Sequence, residues 1–404
     1  MTDENDINRN ETAGKKEKNN NARISVVILL IVVAVIVVAT FIIANSDAYL
    51  SSSEPTTQMN VVEKEDGDNI NDDGGLVTSV KGFPVSFGNS VIESAVSANT
   101  CVFVLTHESV TCLSNTGKIT FTHSISFSDP AIKSSSDYAI VYDRQGSNFL
   151  VFNTKGLYFE GSSDEDGKIL TADVSNDGMA IIASRRTGSA SALTVYKKGE
   201  GSIFAWSCAK EHILCVDISK NSKNLVCAAI GSTGGEIYTK CYVFNIEEKK
   251  NTAAVTFKSS APTDCIIESS KVHLVFTDKI ALFDYTEEKP KPITNDFAST
   301  VIKRACDTNG NVAVITKKID SFGENELTFY NSYNKTLYSV ALSQKICDIK
   351  VSGNTTYVLT SSKLLVINSS GEITKEIEVE SASDGLVVDS RRYYRYYLGV
   401  LYRI

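Results

Sequence analysis

The chain has 404 residues, 42% of them apolar and 22% charged, with a formal net charge of −8. That balance supports a folded core and argues against a nucleic-acid partner, because neutralising phosphates needs a basic face. One Trp stands against 17 Tyr and 17 Phe, and aromatic and β-branched residues dominate the apolar set, which favours strands.

The first 23 residues are rich in Asn, Lys and Glu and are expected to form a disordered cytoplasmic tail, residues 1–23. Residues 24–44, ISVVILLIVVAVIVVATFIIA, carry no charge, and 16 of the 21 are Val, Ile, Leu or Phe. As a helix rising about 1.5 Å per residue, the stretch spans about 30 Å, the thickness of a bilayer's hydrocarbon core. Lipid offers no partner to a backbone amide, so a helix is expected despite the modest propensities of Val and Ile. A cleaved signal peptide would have a shorter apolar core, and Ser46-Asp47-Ala48 is a poor cleavage site. The segment reads as a retained signal anchor whose partner is the lipid bilayer.

Lys15, Lys16, Lys18 and Arg23 precede this segment, whereas residues 45–75 hold eight acidic side chains and only Lys64. Basic flanks stay in the cytoplasm, so the expected protein is single-pass in the cell membrane, N-terminus inside and C-terminal domain outside. Residues 45–80 read as a flexible acidic linker. Within it Asn69, Asn71, Asp73 and Gly74 mimic half a calcium loop, but the twelfth position, which needs a bidentate Glu, is Val80. Solvated linker is the better reading.

From residue 84 no 3.6-residue apolar period is sustained. Short apolar runs recur instead: VFVLT ending at Thr106, AIVYD at Asp143, AIIAS at Ser184, LVCAA at Ala229, HLVFT at Thr277, VAVIT at Thr316, YVLTS with Thr360, and YYRYYLG ending at Gly399. Their mean spacing is about 42 residues, the length of a four-stranded propeller blade. Each is followed by a more amphipathic run that ends in a polar turn, such as LTVYKKGEG, and is expected to lie nearer the wet rim. Each is preceded by another, such as TADVSNDG or ACDTNGN, expected to be the innermost strand. Residues 81–404 are therefore expected to form an all-β domain, a β-propeller of four-stranded blades preceded by a single transmembrane α-helix. The eighth copy has room for three strands, and FPVSF, residues 83–87, is expected to supply its outer one. Eight blades are preferred; seven with an irregular end is the alternative.

FPVSF together with SDPAIKSSSDYAIVYDR (128–144), ILTADVSNDGMAIIA (169–183), LTVY (193–196) and VDISKNSKNLVCA (216–228) resembles domain-of-unknown-function family 5711. That is a family of membrane-anchored bacterial proteins related to quinoprotein-like and BamB-like propellers. The resemblance covers residues 24–404 and implies a propeller outside the membrane. It brings no catalytic residues with it.

Chemistry is sparse in the sequence. Nine cysteines, none in CxxC spacing, are an odd set for an oxidised compartment. Cys101–Cys112 and Cys227–Cys241 fall on adjacent expected strands, where bridges are conceivable. Cys215, Cys265, Cys306 and Cys347 all sit on expected innermost strands and could form an arc of channel-lining thiols, or simply fill space where blades converge. Asp173, Asp177, Asp217, Asp264, Asp307, Asp348 and Asp389 recur near inner-strand ends and read as turn caps. No nucleophile elbow, phosphate loop, dinucleotide fingerprint or zinc motif is present. A quinone cofactor is not expected, since Trp206 stands alone and no two cysteines are adjacent. The terminal RRYYRYYLGVLYRI offers Arg391, Arg392, Arg395 and Tyr396 as a speculative basic-aromatic surface, or as ordinary blade packing. The expected function is non-catalytic binding or scaffolding of an envelope protein or polymer, with no cofactor. A channel enzyme or cofactor binder of quinoprotein type is the alternative.

Overall fold

The computed structural model describes residues 80–163, 167–317, 324–380, 382–389 and 392–404. The tail, the expected membrane helix, the linker up to residue 79 with its half calcium loop, and Arg391 lie outside the described residues. Among the described residues no helix is long and apolar enough to cross a membrane.

Within these bounds, 32 strands make eight four-stranded antiparallel sheets. We number these blades 1 to 8. Seven are simple meanders, spanning residues 92–124, 130–162, 169–208, 212–258, 262–296, 301–342 and 346–378. Blade 8 takes Gly385–Asp389, Arg392–Tyr397 and Val400–Arg403 from the C-terminus and Val85–Ser86 from the start of the domain. Val85 pairs with Leu401 and Ser86 with Val400, so the ring closes through FPVSF as expected and has eight blades rather than seven. Phe83, just before the closing strand, is buried against Tyr394 with ring centroids 5.5 Å apart.

Apolar runs become strands here because each blade is covered on both faces. Eight apolar clusters hold most of the core, one at each seam between neighbouring blades. The second strand of a blade is the most enclosed; Cys101–Thr106 is buried throughout. One expectation needs correcting. The third strand was expected to be partly wet, yet Asn148–Asn153 and Lys279–Asp284 are buried along their middle four residues. Alternation is clear on the fourth strand, as in Lys250–Lys258, and on the channel-lining first strand of blade 6, Val301–Cys306. Neighbouring blades therefore cover the second and third strands most fully, while the fourth faces water at the rim and the first faces the channel.

A second regularity went unread in the sequence. The innermost strands of blades 1, 3, 4, 5, 6 and 7 each shift register near their start, which leaves Glu93, Leu170, Leu214, Thr263, Ile302 and Cys347 out of the ladder. A bulge adds twist and turns one side chain away from its row, which suits strands converging on an axis.

The seam between blades 5 and 6 has the smallest cluster, built around Val275, Ile280, Val312, Val314 and Tyr330. Polar and close backbone contacts reinforce it. Asn334 Nδ2 donates to the Ile293 carbonyl at 3.0 Å, and the Lys271 ammonium lies 4.1 Å from the centre of the Tyr333 ring. Gly310, with φ of +81°, backs onto the His273 ring, and a Cβ there would fall 2.4 Å from ring atoms. Gly310→Ala is expected to cost about 2 kcal/mol, combining left-handed strain with displacement of a buried ring. Denaturant unfolding measures it; a change under about 0.5 kcal/mol would show that the seam yields freely.

Candidate functional site in the central channel

The free edges of the eight innermost strands surround a channel. A cavity of about 460 Å³ is walled by blades 1 to 6, and a second of about 360 Å³ by blades 1, 2, 6, 7 and 8. Both touch Val96, Ser134, Cys306, Asp307 and Thr308, so they are two parts of one lumen.

An innermost strand has no partner on its channel side, so some of its amide groups need other acceptors. Aspartates of neighbouring blades supply them. The Ile267 N–H donates to Asp217 Oδ2 at 2.8 Å, the Leu386 N–H to Asp348 Oδ2 at 2.8 Å, and the Gly353 N–H to Asp307 Oδ2 at 2.9 Å. Asp307 also caps its own turn, accepting the N–H groups of Asn309 and Asn311. The recurrent aspartates thus stitch one blade to the next, and turn capping is only part of their role. Lys220 reaches further: its ammonium donates to Asn309 Oδ1 at 2.7 Å, linking blades 4 and 6.

The charged side chains face one another. Lys133 lies 3.4 Å from Asp173, Arg304 lies 3.6 Å from Asp264, and Lys350 lies 3.7 Å from Asp348. Burial works to lower the Lys133 ammonium, but Asp173 and its neighbours outweigh it and hold the group above the usual lysine range. Burial, and then the Asp173 charge, push the Asp217 carboxyl up to about 7. Burial also raises Asp264 against the opposing pull of Lys133 and Arg304.

Of the four thiols expected here, Cys215, Cys265 and Cys306 line the larger cavity. Cys347 does not. It is the bulged residue of its strand and packs against the apolar cluster between blades 7 and 8. Burial pushes the Cys265 and Cys306 thiols well up, away from the thiolate form. All nine cysteines are free. Cys227 and Cys241 belong to the cores of different seams, so they point to opposite faces of blade 4 and cannot bridge. Cys101 and Cys112 share a face but sit diagonally, since Cys101 pairs with Ser114 and Phe103 with Cys112. Among the described residues no three His, Cys, Asp or Glu side chains are grouped to hold a metal ion.

The C-terminal Arg-Tyr segment is blade interior. Tyr394 is fully buried, and Tyr396 packs in the seam between blades 8 and 1, its ring lying over Gly385. Arg395 is buried, donates to the Ala382 carbonyl and lies 3.9 Å from the centre of the Tyr402 ring. Arg392 pairs with Asp389 at 2.8 Å. None of Arg392, Arg395 and Tyr396 is an exposed side chain, since the alternating strand turns one set of side chains into each seam. Trp206 packs at a tilt against Tyr242 and Phe244 between blades 3 and 4.

Among the described residues, exposed large apolar side chains stand at both ends of the ring: six, Ile119, Leu157, Ile293, Tyr333, Leu337 and Ile373, lie at or just after hairpins joining third to fourth strands, and the other five lie at the opposite end. Val91, Leu214 and Ile302 stand at the start of innermost strands, and Leu398 and Ile237 beside hairpins joining second to third strands. In an antiparallel meander all these places lie at the same end. The five side chains are exposed there. The bulges, invisible to period counting, put Leu214 and Ile302 out.

A family model described as "Family of unknown function (DUF5711)" matches residues 84–398. No curated protein matches the chain. Among solved structures, the chain is similar to the computationally designed Ika8 protein (TM-score 0.59, 13% identity, 78% of this chain and 97% of that one). It is similar also to Sqt1 from Saccharomyces cerevisiae (0.54, 8%, 80% and 98%) and to BamB from Moraxella catarrhalis (0.50, 12%, 80% and 97%). At such identities these likenesses show the propeller fold alone.

Proposed function

The chain belongs to the family of unknown function DUF5711, and we propose that it is a membrane-tethered propeller that binds or scaffolds a partner at the outer side of the cell membrane without catalysing a reaction. The observation that carries the non-catalytic part is the pairing within the channel. Lys133 answers Asp173 and Arg304 answers Asp264, while Asp217 is spent on a backbone N–H of the next blade. A group poised for proton transfer or nucleophilic attack needs both a matched pKa and a free partner; Asp217, pushed up to about 7, meets the first condition, but its carboxylate already holds the Ile267 N–H. Here the ions are engaged with one another and the buried thiols are held protonated.

Binding is assigned to the end face carrying Val91, Leu214, Ile237, Ile302 and Leu398, because three of these exposed aliphatics, Val91, Leu214 and Ile302, stand at the start of innermost strands, around the channel mouth, where a protein partner can cover them. The tether is assigned to residues 24–44 by their uninterrupted apolar run and the basic residues before it. The rival, an enzyme or cofactor binder, draws on the larger cavity, which has the size of a small-molecule site.

Two measurements test the proposal. In intact cells, external protease should remove a C-terminal tag and spare an N-terminal one; the reverse pattern, or protection of both, sinks the topology. Crosslinking on intact membranes should capture a protein or polymer that the double variant Leu214→Asp, Ile302→Asp loses while keeping its fold. Recovery of small molecules only, retained by that variant, would favour the channel rival.

A further inference from the structure

Every blade begins at the same end of the ring, so neighbouring innermost strands run parallel. The bond from the Ile267 N–H to Asp217 sets the register between blades 4 and 5. Two residues back along each strand stand Cys215 and Cys265. Period-two alternation keeps each on the face of its registered neighbour, directed into the shared seam. Both belong to the apolar cluster of that seam, and both line the larger channel cavity. No other pair combines these features. Cys101 and Cys112 lie in a seam core away from the channel lining, Cys227 and Cys241 point apart, and Cys306 enters from blade 6.

We propose that Cys215 and Cys265 are a redox modification site, forming an inter-blade disulfide when a small peroxide enters the channel. Oxidation staples blades 4 and 5 along the channel wall, and reduction releases them. In the first step one cysteine ionises and its sulfur attacks a peroxide oxygen. The O–O bond breaks, and the departing hydroxide takes up the proton the thiol released, leaving a sulfenic acid and water. In the second step the other sulfur attacks the sulfenic sulfur. The S–O bond breaks, and hydroxide leaves with the second thiol's proton as a second water. Two thiols and one hydrogen peroxide become one disulfide and two waters; the sulfurs lose two electrons and the peroxide gains them. Each cysteine is only about one-twentieth exposed, so the reaction is confined to reagents small enough for a cavity of about 460 Å³. The thiolate is the attacking form, and burial disfavours it in Cys265, so the reaction is slow at neutral pH and accelerates about tenfold per pH unit below the thiol pKa. This inference is independent of the membrane reading.

The test uses the purified full-length chain. It is treated with hydrogen peroxide at pH 8, its remaining thiols are alkylated, and it is digested with trypsin without reductant. Peptides 211–220 and 259–271 each carry one cysteine, Cys215 and Cys265. The expected product is these two peptides joined at about 2 Da below their summed mass and separated by reductant. Cys215→Ser and Cys265→Ser should each abolish it, whereas Cys306→Ser should leave it intact. The disulfide encloses about 50 residues, so the oxidised protein should melt a few degrees higher than the reduced one. Linkage of either peptide to another cysteine, oxidation of single thiols without linkage, or no reaction at pH 8 to 9 would each overturn the proposal.

Discussion

A chain that begins at Ser90 is expected to lose its closed ring. Val85–Ser86 is the fourth strand of blade 8, and its removal bares the edge of Val400–Arg403. An uncovered edge in a sheet protein is a template for pairing with another copy. The loss extends into the core, because Phe83 is only 6% exposed and packs against Tyr394, one of the largest fully buried side chains. Phe83→Ala alone should cost about 3–5 kcal/mol, the usual effect of emptying a buried aromatic site. The shortened chain should lose more, since the junction is also fitted to blade 1. Gly82, with φ of +84°, leaves no room for a Cβ, which would lie 2.0 Å from the Thr116 carbonyl oxygen. Size-exclusion chromatography should show self-association and denaturant unfolding a lower midpoint. A monomer that unfolds like the whole protein would mean that blade 8 is complete without its N-terminal strand.

Replacing Asp217 by Asn is the second large effect, and it depends on pH. The folded carboxyl is pushed up to about 7 from an ordinary value near 4. The folded state then keeps a proton that the unfolded chain has released. The stability contribution is fully present below about pH 4 and is lost as pH rises to about 7. Three pH units correspond to at most about 4 kcal/mol, and Asp217 is half-buried rather than fully enclosed, so about 2–4 kcal/mol is expected. Asn cannot ionise, and its carbonyl can still accept the Ile267 N–H. The stability of Asp217→Asn relative to the parent should therefore rise by that amount between pH 4 and pH 8. The comparison must be a difference, because buried His273, held down to about 4, gives an opposite slope over much of the same range. There the unfolded histidine protonates first as pH falls, so stability is lost towards low pH. A variant whose stability tracks the parent at every pH would mean that Asp217 is ionised throughout and balanced by Lys133.

The blade period, the turns and the strand left over for closure were legible in the residues because they are local or repeat along the chain. Asn176-Asp177-Gly178 reads as a tight turn, and Gly178 takes the positive φ it requires. FPVSF was identifiable as the closing strand by counting what the last copy lacked. The channel was less legible. Cys347 looked equivalent to Cys215 and Cys265, but it occupies a bulge, and no spacing rule reveals which strand carries one extra residue. The Arg-Tyr segment had the composition of a surface, yet enclosure by the neighbouring blades buries Arg395 and Tyr394.

Taken alone, the sequence determined that the domain is a ring of four-stranded sheets and favoured eight over seven, because apolar runs and turn residues act over a few positions and recur at a blade's length. The tertiary structure alone decided which groups meet between neighbouring blades along the channel. Lys133 with Asp173, Asp217 with Ile267, and Cys215 with Cys265 stand 40 to 50 residues apart in the chain. Their contact is set by how far each blade rotates and where each innermost strand bulges, quantities that arise only when every seam is packed at once.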